Sequence, residues 1–129
     1  MNFDPIPEKD DALAHTIIGA AIEVHRLLGL GLLESICERA LCHELALRGV
    51  ACERQKEPIV RYKDLDIPGQ RLDLLVGGDV ITDLKTVDSL APIQQAQLLS
   101  YLKTNGLRLG LLINFKVQIL RDGMKRVVR

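Results

Sequence analysis

The chain has 129 residues, 47% of them hydrophobic and only 3% aromatic, which suits one globular domain with a core of Leu, Ile, Val and Ala. Seventeen Lys and Arg balance seventeen Asp and Glu, so the large positive excess of a freestanding nucleic-acid binder is absent. Three cysteines, Cys37, Cys42 and Cys52, without a C-x-x-C pair, argue against a disulfide framework or a zinc knuckle.

Residues 1–9 read as a flexible N-terminal arm, with Pro5 and Pro7 blocking regular structure. The single domain is expected over 10–129. The opening MNFDPIPEKDD is acidic and polar, unlike a signal peptide, and no apolar run nears the ~20 residues that span a bilayer. A cytoplasmic place is expected.

Asp10 or Asp11 is positioned to cap a first helix, whose stripe Leu13, Ile17, Ala21, Val24 and Leu28 recurs at spacings of three and four. Gly29-Leu30-Gly31 ends it. A second helix is predicted over 32–48, with Gly49 as a left-handed cap. The period then changes. Residues 51–62 read as a strand that tolerates Pro58 only at an edge or bulge. Strands at 70–76 and 80–86 flank Gly77-Gly78-Asp79. A third helix is expected from about Pro92 to Thr104, with Ser89 as cap and Asn105-Gly106 as stop. The apolar run 107–114 suits a buried strand, and VQIL and MKRVV around Asp122-Gly123 read as a closing hairpin. The predicted class is α/β, a mixed central sheet flanked by helices in the order α-α-β-β-β-α-β with a β tail.

The chemistry concentrates in the middle hairpin. A two-residue loop at Gly77-Gly78 would pair Asp73 with Thr82 and leave Asp83 on the opposite face. A three-residue loop at Gly77-Gly78-Asp79, which the glycines favour, instead pairs Val76 with Val80 and Asp73 with Asp83. In that register Arg71, Asp73, Asp83 and Lys85 leave one face. Two opposed carboxylates repel, but a hard divalent cation between them makes the pair sensible, because such ions take oxygen ligands. Lys85 would then orient an attacking water and offset developing negative charge. Spacing alone leaves a solvated Asp83–Lys85 pair equally open. Asp73, inside the apolar RLDLLV stretch, is costly unless paired or coordinated. Arg71 is equally suited to pairing with Asp73 or meeting a phosphate.

The segments IIGAAIEVHRLLGLGLLESIC, RLDLLV, VITDLK, IQQAQLLSYLK and GLLINF, in this order, resemble the GxxExxY family of small bacterial proteins, placed in the PD-(D/E)XK nuclease superfamily. That resemblance implies a restriction-endonuclease-like core with a mixed four-stranded sheet. It also implies a Mg²⁺-dependent nuclease (Mn²⁺ as substitute) acting on nucleic acid, DNA foremost. Glu34, Asp73, Asp83 and the Leu84 carbonyl would hold the metal, with Lys85 beside the reacting water. Gln97 and Tyr101 resemble the Q-x-x-x-Y pair of nuclease domains attached to recombination helicases, and would contact the nucleic-acid backbone or brace the lysine. Two positions depart from the pattern. Cys37 stands where the naming tyrosine belongs, and Asp83 replaces the usual Glu of the lysine motif.

Two rival readings use the same fold: a binding or assembly module without turnover, and hydrolysis of a small nucleotide. A homodimer or a larger protein partner is also expected. His15, His25 and His43 lack ligand spacing and read as structural or surface residues. The cysteines read as free thiols. Lys125, Arg126 and Arg129, with Arg121, read as the charged margin of a sheet.

Overall fold

The computed structural model describes residues 5–129. The expected cap at Asp10 or Asp11 is three or four residues late, because Pro7 holds the N-cap position. Helix α1 runs Glu8–Leu28 with Pro7 before it, and acids in its first turn favour the positive end of the helix dipole. Its buried stripe is mostly small, Ala14, Ile17, Ala20, Ala21 and Val24, which lets the helix approach its neighbours closely. Ile6, inside the expected arm, packs against the same core. Helix α2 runs Glu34–Leu47 and buries Cys37, Glu38, Leu41 and Leu45. Gly49 takes φ 78° after it, as expected of a left-handed cap.

The expected strand over 51–62 is two separate elements. Strand β1 covers Cys52–Lys56, and beyond Pro58 the chain turns into a small hairpin of β2 (Val60–Tyr62) and β3 (Leu65–Ile67). The hairpin was illegible because Lys63, not glycine or asparagine, takes the left-handed φ of 55° at its turn. Strands β4 (Leu72–Val76) and β5 (Val80–Lys85), helix α3 (Pro92–Asn105) and strand β6 (Leu109–Asn114) follow the predicted order. Ser89 does not cap α3. Ala91 does, with its N–H donated to the Gln94 side chain at 2.8 Å and Pro92 at the first helical position.

The closing hairpin is also corrected. Residues 117–119 form no strand, Leu120–Gly123 make a 3-10 turn, and β7 (Met124–Val128) pairs antiparallel with β6. The main sheet has five strands in the order β1-β4-β5-β6-β7, with β5 and β6 parallel across the α3 crossover. The architecture is the expected mixed sheet flanked by helices, with one strand more than four. Helices α1 and α2 cover one face over Leu74, Val76, Val80, Leu84, Leu111 and Ile113. Helix α3 covers the other through Leu98 and Leu102 against Leu75, Ile81 and Leu112. β7 is an edge strand, and its Arg126 meets Asp11 while Arg129 donates to the Leu107 carbonyl. No helix among the described residues is long and apolar enough to cross a membrane.

Candidate active site at the end of the β4–β5 pair

The loop between β4 and β5 decides the site. Gly77 and Gly78 take φ of 59° and 73°, and the Asp79 N–H returns to the Val76 carbonyl at 3.1 Å. The resulting register pairs Val76 with Val80, Leu75 with Ile81 and Leu74 with Thr82. Its next step sets Asp73 opposite Asp83, as the three-residue loop required.

The two carboxyls share a hydrogen bond, and burial first, then that bond and the charge of Asp73, push Asp83 up to about 7. Asp83 is buried to 4% exposure, and Asp73 is half-buried. The backbone N–H of Leu84 donates to Asp73 Oδ2 at 3.0 Å. Lys85 follows Asp83 on the same face, with Nζ 4.0 Å from Asp83 Oδ2. An excess of negative charge is thus held in a low-dielectric place by a proton, one backbone donor and one ammonium group.

Helix α2 supplies the next acid. Its C-terminal end feeds β1, whose last residue, Lys56, pairs with Leu72 at the start of β4. The first turn of α2 therefore lies toward the end of the sheet that carries Asp73. Glu34 is half-buried there. Burial raises its pKa, Lys85 opposes the shift, and the charges of Asp73 and Glu38 add to it. Glu34, Asp73, Asp83 and Lys85 are thereby brought into one electrostatic cluster.

Other expected residues do not join it. Arg71 lies outside β4, where the ladder to β1 has ended at Leu72, and its guanidinium reaches Glu57 at 3.4 Å in solvent. Its ion-pair partner is Glu57 and not Asp73. Gln97 is exposed. Tyr101 packs on the α3 side of the core, and its carbonyl accepts from Asn105 at 2.8 Å. Neither residue is hydrogen-bonded to the acids or to Lys85. Cys37 is buried among core residues. Cys42 and Cys52 are free and adjacent, Cys42 Sγ lying 3.5 Å from the Cys52 carbonyl, and burial raises the Cys52 thiol. His25 is structural, its Nε2 2.8 Å from the Val117 carbonyl.

Three residues near the site escape sequence reading. Glu38 is buried one turn after Glu34 and is held by Arg54 and Gln55. Its i,i+4 spacing from Glu34 was the available signal. Gln55 takes φ 53°, a strain of about 1–3 kcal/mol for a non-glycine residue, which no residue type announces. Asn114, buried at the end of β6, pairs with Lys85 across the parallel ladder. Its amide accepts from the Val87 and Lys116 N–H groups and donates to the Val87 carbonyl, so it pins the chain just beyond Lys85.

A model of the PD-(D/E)XK nuclease superfamily matches residues 11–127. The chain belongs to that superfamily. No curated protein and no solved structure matches it. Members of the superfamily generally use divalent metals, and the donor set here is compatible in part. Asp73 and Asp83 are close and partly desolvated, which suits a hard cation that takes one or two carboxylates and keeps its waters. Among the described residues, no group of three or more His, Cys, Asp or Glu side chains is gathered to hold a metal ion. What the described residues bring together is an acidic pair flanked by Lys85, with Glu34 at its margin.

Proposed function

We propose that this chain is a divalent-metal-dependent phosphodiester hydrolase of the GxxExxY group, acting on nucleic acid and on DNA foremost, with Mg²⁺ as the working ion. The observation that carries the reading is the opposition of Asp73 and Asp83 with Lys85 on the same face.

Asp73 and Asp83 would hold the ion, helped by the Leu84 carbonyl and by Glu34. A cation there polarises a phosphoryl oxygen and makes water a better nucleophile near neutral pH. Burial holds the Asp83 carboxyl above the ordinary aspartate range, so it would have to be ionised to serve as a ligand. Lys85 orients the attacking water and stabilises the negative charge that grows on the phosphoryl oxygens. Gln97 and Tyr101, one turn apart on α3, would meet the nucleic-acid backbone, as would Arg71 once freed from Glu57. The scarcity of aromatics leaves little stacking surface for unpaired bases, so sequence preference is expected to be weak or supplied by a partner.

A binding module without turnover is the second reading, favoured by the zero net charge and by the lack of a three-ligand cluster among the described residues. Labelled single- and double-stranded DNA and RNA, incubated with Mg²⁺, Mn²⁺ or EDTA, separate the two. Metal-dependent cutting that Asp83→Asn and Lys85→Ala both abolish supports the hydrolase. No cutting of any substrate favours the module.

A further inference from the structure

Glu38 is a buried carboxylate that the proposed reaction does not use. Its side chain is 4% exposed, and both its oxygens are taken by β1. Gln55 Nε2 donates to Oε1 and Oε2 at 2.9 and 2.8 Å, and Arg54 Nε donates to Oε1 at 3.2 Å. A buried carboxylate, paired here with a partly exposed Arg54, is a costly way to pack a helix on a strand, since its desolvation must be offset by its partners.

The partner is costly too. Gln55 holds a left-handed φ of 53°, and it does so at one place in the ladder. Arg54 pairs with Leu74 and Lys56 with Leu72, while no pair forms at Gln55, whose place in the register lies opposite Asp73. The strained residue thus sits beside one acid of the site, and its amide grips the residue one helical turn from another, Glu34. Strain of this kind persists where surrounding contacts over-determine it, and it gathers at functional sites.

We propose that Glu38 and Gln55 are a positioning pair that locks the first turn of α2 to β1 and so sets the Glu34 carboxylate toward Asp73. The pair rests on the metal-site reading above and acts through Glu34. Arg54 neutralises Glu38, and Gln55 fixes its direction by holding both oxygens.

The test compares wild type, Gln55→Gly, Glu34→Gln and the double variant by thermal melting, by calorimetry with Mn²⁺ alone, and by steady-state cleavage. Glycine adopts the left-handed φ without strain, which offsets part of the cost of leaving the buried Glu38 oxygens without the Gln55 amide. Gln55→Gly is therefore expected to stay folded and melt somewhat below wild type. Its Mn²⁺ affinity is expected to fall about 10–100-fold, the usual cost of removing a group that orients a metal ligand. Turnover should fall with KM little changed. In the Glu34→Gln background the second substitution should add nothing, because the pair works through that carboxylate. Wild-type Mn²⁺ affinity in Gln55→Gly, or an equal loss in both backgrounds, overturns the pair as a positioning device. Should glycine loosen the fold, Glu38→Gln, which keeps the volume, reads the same quantities with the same expected direction. Wild type that takes up no Mn²⁺ overturns the metal-site reading and the pair with it. Mn²⁺ binding that Asp83→Asn weakens and Gln55→Gly leaves intact overturns the pair alone.

Discussion

Asp73 and Asp83 face each other one step beyond the Leu74–Thr82 pair that ends the β4–β5 ladder, with Asp83 the more buried of the two. Directly opposed like charges destabilise a sheet. Here the fold tolerates them because burial, hydrogen bonding and charge together keep Asp83 protonated to about pH 7. On the proposed metal-site reading, a proton and a cation would compete for one place at Asp83.

A pH dependence of stability follows. Between the ordinary aspartate value of 3.8 and about 7, the folded chain keeps a proton on Asp83 that the unfolded chain has released. Each step upward in pH through that window favours unfolding, so this contribution is full below about pH 4 and gone above about pH 7. Metal-free melting scans from pH 5 to 8 should show a falling component that Asp83→Asn removes. At pH 8, Mg²⁺ at 100 times its dissociation constant should add about 2.7 kcal/mol by mass action. An unchanged melting profile in Asp83→Asn would count against Asp83 as the group responsible.

Lys85→Ala should leave the fold intact, because the ammonium group is partly solvated and the strand around it is apolar. Cleavage by this variant is expected to drop about 10²–10³-fold, the usual cost of losing one preorganised electrostatic contact to the transition state. Circular dichroism and single-turnover assays on the same preparation check both halves. Retained turnover would remove Lys85 from the chemistry.

Asn114→Ala should destabilise the protein by about 1–3 kcal/mol for each buried backbone group left without a partner. The amide serves the Val87 N–H, the Val87 carbonyl and the Lys116 N–H. Urea unfolding measures the loss. Hydrogen exchange should locate the added opening in the chain beyond Lys85.

Gly110→Ala tests the seat of α3. A Cβ at that position in β6 would lie 2.9–3.0 Å from three atoms of the fully buried Leu98. Overpacking of this kind typically costs about 1–3 kcal/mol. The variant should lower the urea midpoint and shift near-neighbour resonances in α3, and a pairing with Leu98→Ala should recover part of the loss.

Much of the architecture was legible from local pattern. The small-residue stripe of α1, the glycine after α2, the Gly-Gly turn and the apolar run of β6 each carry a period or a φ preference that sequence displays directly. The Gly-Gly turn offered two loop lengths, and the observed Val76–Val80 pairing selects the three-residue one that sets Asp73 toward Asp83. The β2–β3 hairpin and the true partner of β7 were not legible. Lys63 turns the first without a turn residue, and strand pairing beyond neighbouring segments depends on which apolar faces meet.

The sequence by itself determined the order of elements, the opposed acids and Lys85, since strand period and turn geometry act over a few residues. Only the tertiary structure decided that Glu34 lies near this pair, that Arg71 meets Glu57, that Glu38 is held by Arg54 and Gln55, and that Asn114 pins the chain beyond Lys85. Those outcomes depend on how α2 lies across β1 and where the β1–β4 ladder stops. The physical reason is that burial and long-range contact, which set the cost of a charge, are properties of the packed chain and not of any segment in it.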